Sequence, residues 1–361
     1  MKWNCRITFK GDSRLDINMK AIVFDQIGAP LDVLHLADVP IPEIGDNEVL
    51  VKMTAASINP GDFLFIQNLY PDPKKPHFPQ QIAGNHGAGV IAKVGKEASL
   101  KPGTFVAFSY YNTWAEYAAV PAEWLVPLPS NYPIEKAGQL VNPITAWDLL
   151  DQSRVQPGEW LAVTAGHSTV ATLVLQFAKL KKVNVISIVR RRNKHLALNA
   201  LGASAVIELS RLSENVGQRV MEITENRGVN GVIDCVGGAL LGELLLSTAL
   251  GAQVIIYGGY SSEKFDLHNF DILMKGSTIK SYIYRYFFTP PPEKDRAVLD
   301  ELTGIVGQRK FKISIGGTHA LEDFKAAIYE TLTYPERGKR FFKIERTIAK
   351  IEARALPLPN L

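Results

Sequence analysis

Cysteine and long apolar runs are both scarce in this chain, and each shortage excludes a class of protein. Its 361 residues include two cysteines, Cys5 and Cys235. They lie far apart, so neither a disulfide framework nor a cysteine-rich zinc lobe is expected. No apolar run approaches the roughly 20 residues of a membrane-spanning helix, and the first 18 residues lack the apolar segment of a secretory signal. We therefore expect a cytoplasmic protein without a membrane partner.

An excess of charge of one sign is also missing. The chain has 40 Lys and Arg against 36 Asp and Glu, a net charge of +4. Nucleic-acid-binding domains concentrate more basic charge than this, so no nucleic-acid partner is expected. Apolar residues make up 46% and charged residues 21% of the chain, which is typical of a globular protein. The length allows two domains of ordinary size.

One strand-turn-helix-strand unit organises the second half of the chain. Residues 160–164 are a short apolar run, which predicts a strand buried on both faces. Small and polar residues at 165–169 predict a sharp turn, and residues 183–189 predict a second buried strand. Between them, apolar residues recur at helical spacing: Val170, Leu173, Val174, Phe177 and Ala178. Such a crossover puts a helix N-terminus at the end of the first strand, where a pyrophosphate can bind.

The glycine pattern of this turn is incomplete, but basic residues follow the second strand. Gly166 is present, whereas Thr169 and Ala171 stand where G-x-G-x-x-G has its other glycines. NAD-binding proteins carry an Asp or Glu after the second strand to hold the ribose hydroxyls. Here Arg190, Arg191 and Arg192 stand there, and guanidinium groups suit a 2′-phosphate. The alternative is a solvated basic loop; the position of the arginines favours NADPH.

The rest of the sequence divides into a β-rich part and a part in which predicted helices alternate with predicted strands. Residues 19–130 contain short β-prone runs separated by Pro and Gly: 20–24, 48–56, 87–94, 105–108 and 114–120. From residue 134, helices are predicted at 135–140, 144–153, 193–201, 240–248 and 294–306. Further strands are predicted at 205–207, 229–236 and 253–258. This alternation predicts a doubly wound parallel sheet.

Four motifs make the chain resemble the medium-chain dehydrogenase/reductase superfamily. They are INPGDF at 58–63, GNHGAGVIAKVG at 84–95, KPGTFV at 101–106 and QPGEWLAVTA at 156–165. The resemblance spans residues 19–344. It implies an α/β fold in which a GroES-like β-barrel domain is joined to a Rossmann doubly wound parallel sheet.

The resemblance implies a division into four parts. Residues 1–18 would be an N-terminal extension, and residues 19–140 a GroES-like substrate and catalytic domain. Residues 141–290 would form the Rossmann NADPH-binding domain. Residues 291–361 would return to the catalytic domain.

The zinc-ligand positions of the superfamily's alcohol dehydrogenases are altered here. Those enzymes carry Cys where Asn59 stands, and G-H-E where Gly84, Asn85 and His86 stand. Catalytic zinc needs three converging side chains and an open position, and His77 and His86 alone do not supply that set. No metal is expected, and Asn59, Asn85 and His86 are predicted to face the substrate.

Without zinc, the expected chemistry is reduction of an activated carbon–carbon double bond. Hydride would add to the carbon β to a carbonyl, and the α-carbon would then need a proton. Tyr70 stands where the 2-enoyl thioester reductases that this chain resembles carry a catalytic tyrosine. A phenol with a pKa of about 10 is protonated at neutral pH and can donate. The alternative is that Tyr70 only packs beside Pro71, and quinone oxidoreductases have a similar tyrosine.

Three further motifs favour the enoyl thioester reductases, including the mitochondrial type, over typical quinone reductases. VNPITAW at 141–147 resembles their VNPxTA, GNHG at 84–87 their GNEG with His86 in place of Glu, and YGGY at 257–260 their YGGM. The resemblance implies these cofactor-binding residues: Asn142, Gly166, His167, Ser168, Thr169, Val170, Arg190, Arg191, Arg192, Tyr257, Gly258, Gly259, Tyr282, Tyr284 and Lys339.

Residues 277–286, STIKSYIYRY, have the alternation of a strand. A strand at this place in the superfamily pairs with its copy across a two-fold axis, so a homodimer is expected. The alternative is an edge strand protected by Lys280 and Arg285.

Three functions remain open. The first is an NADPH-dependent enoyl thioester (acyl-CoA or acyl-carrier) reductase. The second is a quinone or small-enone oxidoreductase, and the third is a non-catalytic NADPH-binding sensor. The sequence leaves the acyl chain length and the effect of His86 undecided.

Overall fold

The computed structural model describes residues 18–193, 196–211 and 215–344. Residues 1–17 of the predicted extension, with Cys5, and residues 345–361 of the predicted C-terminal part lie outside the described residues. No helix of the described part is long and apolar enough to cross a membrane.

The strands are β1 (Asn18–Phe24), β2 (His35–Pro40), β3 (Glu48–Ser57), β4 (Gln81–Ile82), β5 (His86–Val94), β6 (Phe105–Ser109), β7 (Tyr117–Pro121), β8 (Leu125–Pro127), β9 (Trp160–Val163), β10 (Asn184–Val189), β11 (Ala205–Glu208), β12 (Val229–Asp234), β13 (Thr248–Ile256), β14 (Thr278–Ser281), β15 (Ile315–His319) and β16 (Lys339–Lys343). The α-helices are α1 (Pro30–Val33), α2 (Pro60–Ile66), α3 (Ile134–Ala137), α4 (Val141–Gln152), α5 (Thr169–Leu180), α6 (Leu198–Leu201), α7 (Val216–Ile223), α8 (Gly238–Leu246), α9 (Asn269–Leu273), α10 (Arg296–Gly307) and α11 (Phe324–Thr333). Short 3₁₀ helices lie at Ala122–Trp124, Leu209–Arg211, Glu293–Asp295, Leu321–Asp323 and Pro335–Arg337.

The β-rich part is a seven-stranded sheet with a small three-stranded sheet beside it. The larger sheet has the order β15-β16-β3-β5-β6-β8, and β7 also pairs with β3; the smaller has the order β2-β1-β4. Strand β3 alternates along its first half, burying Val49, Val51 and Met53. Strand β16 pairs antiparallel with β3, with Phe342 opposite Ala56, so the C-terminal segment returns to this sheet.

The alternating part is a six-stranded sheet of parallel strands. Its order is β11-β10-β9-β12-β13-β14. The strand order reverses between β9 and β12, and ligands of such sheets bind outside the carboxyl ends of the strands at this reversal. Helix α5 packs its apolar residues in the core, with Leu173, Val174 and Phe177 fully buried. The predicted GroES-like and Rossmann fold class is confirmed.

Three predicted elements differ from the structure. Pro143 lies in the first turn of α4 and does not separate two helices. The first amides of a helix have no carbonyl partner within the helix, so a proline in this turn costs no backbone hydrogen bond. The predicted strand at 277–286 is only β14, since the chain then leaves the sheet and the Tyr282 hydroxyl reaches Asp148 on α4. The predicted helix at 193–201 is reduced to α6, and residues 194–195 of that prediction lie outside the described part.

Candidate functional site

The turn between β9 and α5 is built for close approach of a ligand to the backbone. A Cβ on Gly166 would lie 2.0 Å from the Ser187 hydroxyl oxygen, so only glycine fits between the two strands. Ser168 is the N-cap of α5, and its side chain accepts a hydrogen bond from the Ala171 amide at 3.2 Å. Thr169 and Val170 begin the helix. A helix N-terminus in this position favours an anion, so the turn suits a pyrophosphate although two of three glycines are missing.

Basic side chains surround the end of β10. Arg190 and Arg191 are exposed, while Arg192 lies 3.8 Å from a carboxylate oxygen of Glu208 on the neighbouring strand. Arg211 lies 3.4 Å from the same carboxylate. The arginines at 192 and 211, with Glu208, line a cavity of about 270 Å³. This charge set suits the 2′-phosphate of NADPH.

Arg211 and Glu208 were not predicted from the sequence. They become neighbours of Arg192 because β11 pairs with β10, which puts Glu208 opposite Val189. The sequence feature that could have identified Glu208 is its position directly after the predicted strand at 205–207. This strand would lie beside the predicted strand at 183–189, which the arginines follow.

Polar groups from three further segments meet the turn. The Tyr257 hydroxyl hydrogen-bonds with the side chains of Ser168 and Cys235, and burial raises its pKa. The His167 ring accepts a hydrogen bond from the Asn193 amide at 3.3 Å, and burial lowers the pKa of this histidine. Gly258 packs against Cys235, where a Cβ would approach to 2.9 Å. Gly259 is exposed beside it.

A buried carboxylate organises the other side of the crevice. Asp62 is fully buried in the first turn of α2 and accepts hydrogen bonds from the Asn59 amide at 2.7 Å and the Asn85 amide at 2.9 Å. The Asn85 side-chain amide also donates to it at 3.0 Å. Burial raises the pKa of Asp62 to about 6. The contacts arise because Asn59 caps α2 through a capping box with Asp62.

Lys339 and Asn142 converge on Asn59 from distant parts of the chain. The Lys339 ammonium donates to the Asn59 side-chain oxygen at 2.7 Å and to the Ile58 carbonyl at 3.1 Å. The Asn142 side chain donates to the same Asn59 oxygen at 3.3 Å. Burial lowers the pKa of Lys339 to about 8, with Asp62 acting in the opposite direction. Both residues therefore contact the Asn59 and Asp62 cluster, and their predicted role in cofactor binding stays a prediction.

His86 links this cluster to the segment after β14. Its Nδ1 lies 2.8 Å from the Ser109 hydroxyl oxygen, and that hydroxyl donates to the Tyr284 hydroxyl at 3.4 Å. Burial lowers the pKa of His86 well below its ordinary value, and the charges of Lys74 and Lys339 lower it further. The imidazole is therefore neutral at pH 7.

Tyr70 lies between this cluster and the same segment. Its ring packs edge-on against Phe287, with 4.7 Å between centroids. Its hydroxyl lies over Gly61, where a Cβ would come within 2.3 Å of it. Burial raises the pKa of Tyr70, and the charge of Asp62 raises it further. The phenol keeps its proton at neutral pH.

Most of the predicted site residues thus fall into two groups, one at the β9–α5 turn and one around Asn59 and Asp62, while Tyr282 is directed elsewhere. It is buried, and its hydroxyl donates to Asp148 at 2.8 Å, so it packs against α4. Asp62 and Lys74 were missed by the sequence analysis.

The altered zinc positions are occupied by hydrogen-bonded amides, as the Asn59 and Asn85 contacts show. Over residues 18–193, 196–211 and 215–344, no three His, Cys, Asp or Glu side chains are grouped so that they could hold a metal ion. The absence of a metal cofactor stays a prediction.

Two family models match the chain. The alcohol dehydrogenase GroES-like domain matches residues 45–130, and the zinc-binding dehydrogenase model matches residues 169–303. The first match contains strands β3 and β5 to β8 of the seven-stranded sheet, and the second contains strands β10 to β14 of the six-stranded sheet.

Curated relatives and solved structures agree with these matches. The mitochondrial enoyl-[acyl-carrier-protein] reductase of Homo sapiens is 32% identical over 68% of this chain and 67% of its own length. That of Xenopus tropicalis is 29% identical over 87% and 92%. The crystal structure of a putative NADPH:quinone reductase from Bacillus thuringiensis superposes with a TM-score of 0.81, at 27% identity over 91% of this chain and 99% of that one. The chain therefore belongs to the medium-chain dehydrogenase/reductase superfamily, close to its enoyl thioester reductases.

Proposed function

We propose that this protein is an NADPH-dependent reductase of activated carbon–carbon double bonds and that its substrates are trans-2-enoyl thioesters of CoA or acyl-carrier protein. The observation that carries the proposal is the protonated phenol of Tyr70 beside the buried Asn59, Asp62 and Lys339 cluster. The cofactor of such a sheet binds at the strand-order reversal, and the proposal puts this cluster on the substrate side of it. The names of the curated relatives support the thioester class.

Each side of the crevice would have a separate task. When bound, NADPH supplies the hydride. Arg190, Arg191 and Arg192 would hold its 2′-phosphate, and the N-terminus of α5 its pyrophosphate. Tyr70 would donate the proton that the α-carbon needs, which a phenol of raised pKa can do only as a general acid. Neutral His86 adds no charge that would compete with the phenol.

The direct test is oxidation of NADPH with crotonyl-CoA, a longer enoyl-CoA and a simple quinone, with NADH as the control cofactor. We expect the enoyl thioesters to have the highest kcat/KM and NADH to be a poor donor. Preference for the quinone would contradict the thioester assignment.

A quinone or enone substrate is the second candidate. The structural similarity to the Bacillus thuringiensis protein, at 27% identity, favours it. The same assay separates the two, because a quinone reductase needs no site for the long pantetheine arm of CoA. Tight NADPH binding without turnover of any substrate would instead favour the non-catalytic sensor.

A homodimer through the edge of the six-stranded sheet is part of the proposal. Strand β14 is the last strand of that sheet. Among the described residues, no strand pairs with its outer edge, so this edge can pair with a second copy. Large apolar side chains are exposed around it: Leu250, Phe270, Leu273, Met274 and Ile283. Light scattering should give twice the chain mass, and Leu273→Asp with Ile283→Asp should return it to one chain.

The domain boundaries and the compartment are also proposed. We place the catalytic domain at residues 19–140, the NADPH-binding domain at 141–290 and the return at 291–361; the pairing of β16 with β3 supports the last part. We also propose the cytoplasm as the location. Fractionation against mitochondria, the compartment in the relatives' names, would test it.

A further inference from the structure

Lys74 is a buried lysine whose ammonium has no protein acceptor among the described residues. The residue is 5% exposed, and it lies in the loop between Tyr70 and β4. Its Nζ lies 4.9 Å from the centre of the Tyr111 ring and 4.8 Å from that of Phe287. Among the described residues, nothing accepts a hydrogen bond from it or forms an ion pair with it.

Two aromatic rings do not provide the hydrogen-bond acceptors that the Lys74 ammonium requires. An ammonium carries three donors and loses strong hydration on burial. Cation–π contacts return about 2 kcal/mol when they are desolvated, but they provide no acceptor. Burial lowers the pKa of Lys74 to about 8, although Asp62 acts in the opposite direction. The arrangement is that of a donor whose acceptor comes from outside the chain.

The ammonium belongs to the same pocket as Tyr70. Phe287 contacts both, the Tyr70 ring at 4.7 Å and the Lys74 ammonium at 4.8 Å. The charge of Lys74 acts on the titration of His86, and that of Asp62 acts on both Lys74 and Tyr70. A substrate whose α-carbon meets the Tyr70 hydroxyl would bring its carbonyl oxygen into this region.

We propose that Lys74 binds the carbonyl oxygen of an α,β-unsaturated thioester and stabilises the negative charge that this oxygen gains during reduction. The assignment rests on the proposed function and names a further catalytic residue for it. A fixed donor in a dry pocket stabilises a charged oxygen more than a neutral carbonyl, so its effect falls on the transition state. A lysine that only packs would act through its methylene stem.

Lys74→Met separates these roles, because it keeps the stem and removes the donors. Lys75→Met is the matched control, since Lys75 is the next residue and has no place in the site. With crotonyl-CoA and NADPH, we expect Lys74→Met to lower kcat/KM by about 10²- to 10³-fold, the usual loss for one oxyanion donor. The NADPH Kd and the Tm should stay at their Lys75→Met values.

A binding measurement keeps the test independent of turnover. The protein saturated with NADP⁺ is titrated with crotonyl-CoA by calorimetry, and we expect Lys74→Met to weaken binding at least about fivefold through the lost charged hydrogen bond. The assignment would be overturned if the wild type reduces crotonyl-CoA and Lys74→Met equals Lys75→Met both in kcat/KM and in affinity for crotonyl-CoA. If the wild type reduces no substrate, the proposed function fails, and the affinity comparison alone decides the role of Lys74.

Discussion

The two sides of the crevice hold their charges in opposite ways. On the cofactor side, Arg192 and Arg211 are exposed and share the carboxylate of Glu208 at the end of the parallel sheet. On the substrate side, Asp62 and Lys74 are buried, and Lys339 is held by Asn59 and Ile58. Exposed charges are screened by salt. Buried charges change their pKa values and respond strongly to what enters the pocket.

The difference follows from what each side is proposed to bind. A 2′-phosphate arrives fully charged, so solvated arginines with a loosely held counter-charge are sufficient. A carbonyl oxygen is neutral on arrival and becomes negative only during the reaction, so donors must already be dehydrated and fixed. Four predictions test this contrast.

The largest effect is expected on the cofactor side. Arg190→Ala with Arg192→Ala removes two guanidinium partners of the 2′-phosphate, and the Kd of NADPH should rise at least about 100-fold. The Kd of NADH should change less than about threefold, as for other exposed charges. Fluorescence titration measures both Kd values. The control is Arg296→Ala, because Arg296 pairs with Glu293 on the surface. Equal losses for the two cofactors would contradict the 2′-phosphate assignment.

The next effect is expected at Tyr70. Tyr70→Phe removes the proposed acid and keeps the packing on Phe287, so kcat for an enoyl thioester should fall about 100-fold. NADPH affinity should be unchanged, which titration checks. Tyr329→Phe is the control because Tyr329 is exposed on α11. Unchanged turnover with every substrate would remove Tyr70 as the acid.

The pH dependence distinguishes the buried charges from the exposed ones. Lys74 has a pKa lowered to about 8, and its protonated form is the one proposed to act. Activity is therefore present below this pKa and lost above it, and kcat/KM should fall about tenfold from pH 7 to pH 9. Asp62, His86, Tyr70 and Lys339 also belong to this pocket.

Lys339 requires its own control because its pKa is also lowered to about 8. The alkaline fall should persist in Lys339→Met and disappear from the residual activity of Lys74→Met. The reverse pattern would assign the fall to Lys339.

The smallest effect is expected at Glu208. Glu208→Gln releases Arg192 and Arg211 from their shared carboxylate, and NADPH affinity should rise by at most about fivefold, because exposed ion pairs are weak. The control is Glu225→Gln, which removes the exposed ion pair with Arg227. A loss of affinity would mean that Glu208 positions the arginines instead of competing for them.

The cofactor side could be predicted from the sequence more fully than the substrate side. A parallel strand buried on both faces is an apolar run, so β9 and β10 were predicted within a few residues, and the arginines after β10 followed from position. Gly166 was identified although the rest of its motif is missing, and Ser187 now explains why that glycine stands there.

The substrate side depends on contacts that no local pattern contains. Asp62 looks like an ordinary acidic residue at a helix start, and its hydrogen bonds with the backbone and side chain of Asn85 join it to a distant part of the chain. Lys339 meets Asn59 across 280 positions of sequence. Lys74 looks like a loop lysine in a polar segment, because its contact with Phe287 comes from the distant segment that follows β14.

Phe287 connects Tyr70 and Lys74 to the segment that follows β14. Its ring covers both Tyr70 and Lys74, and it follows the last strand of the nucleotide-binding sheet. A movement of this segment would therefore change the surroundings of both side chains at once. A hydrated ammonium is a weaker partner for a carbonyl than a dehydrated one. The position of one aromatic ring thus couples the surroundings of the proposed acid and the proposed carbonyl donor.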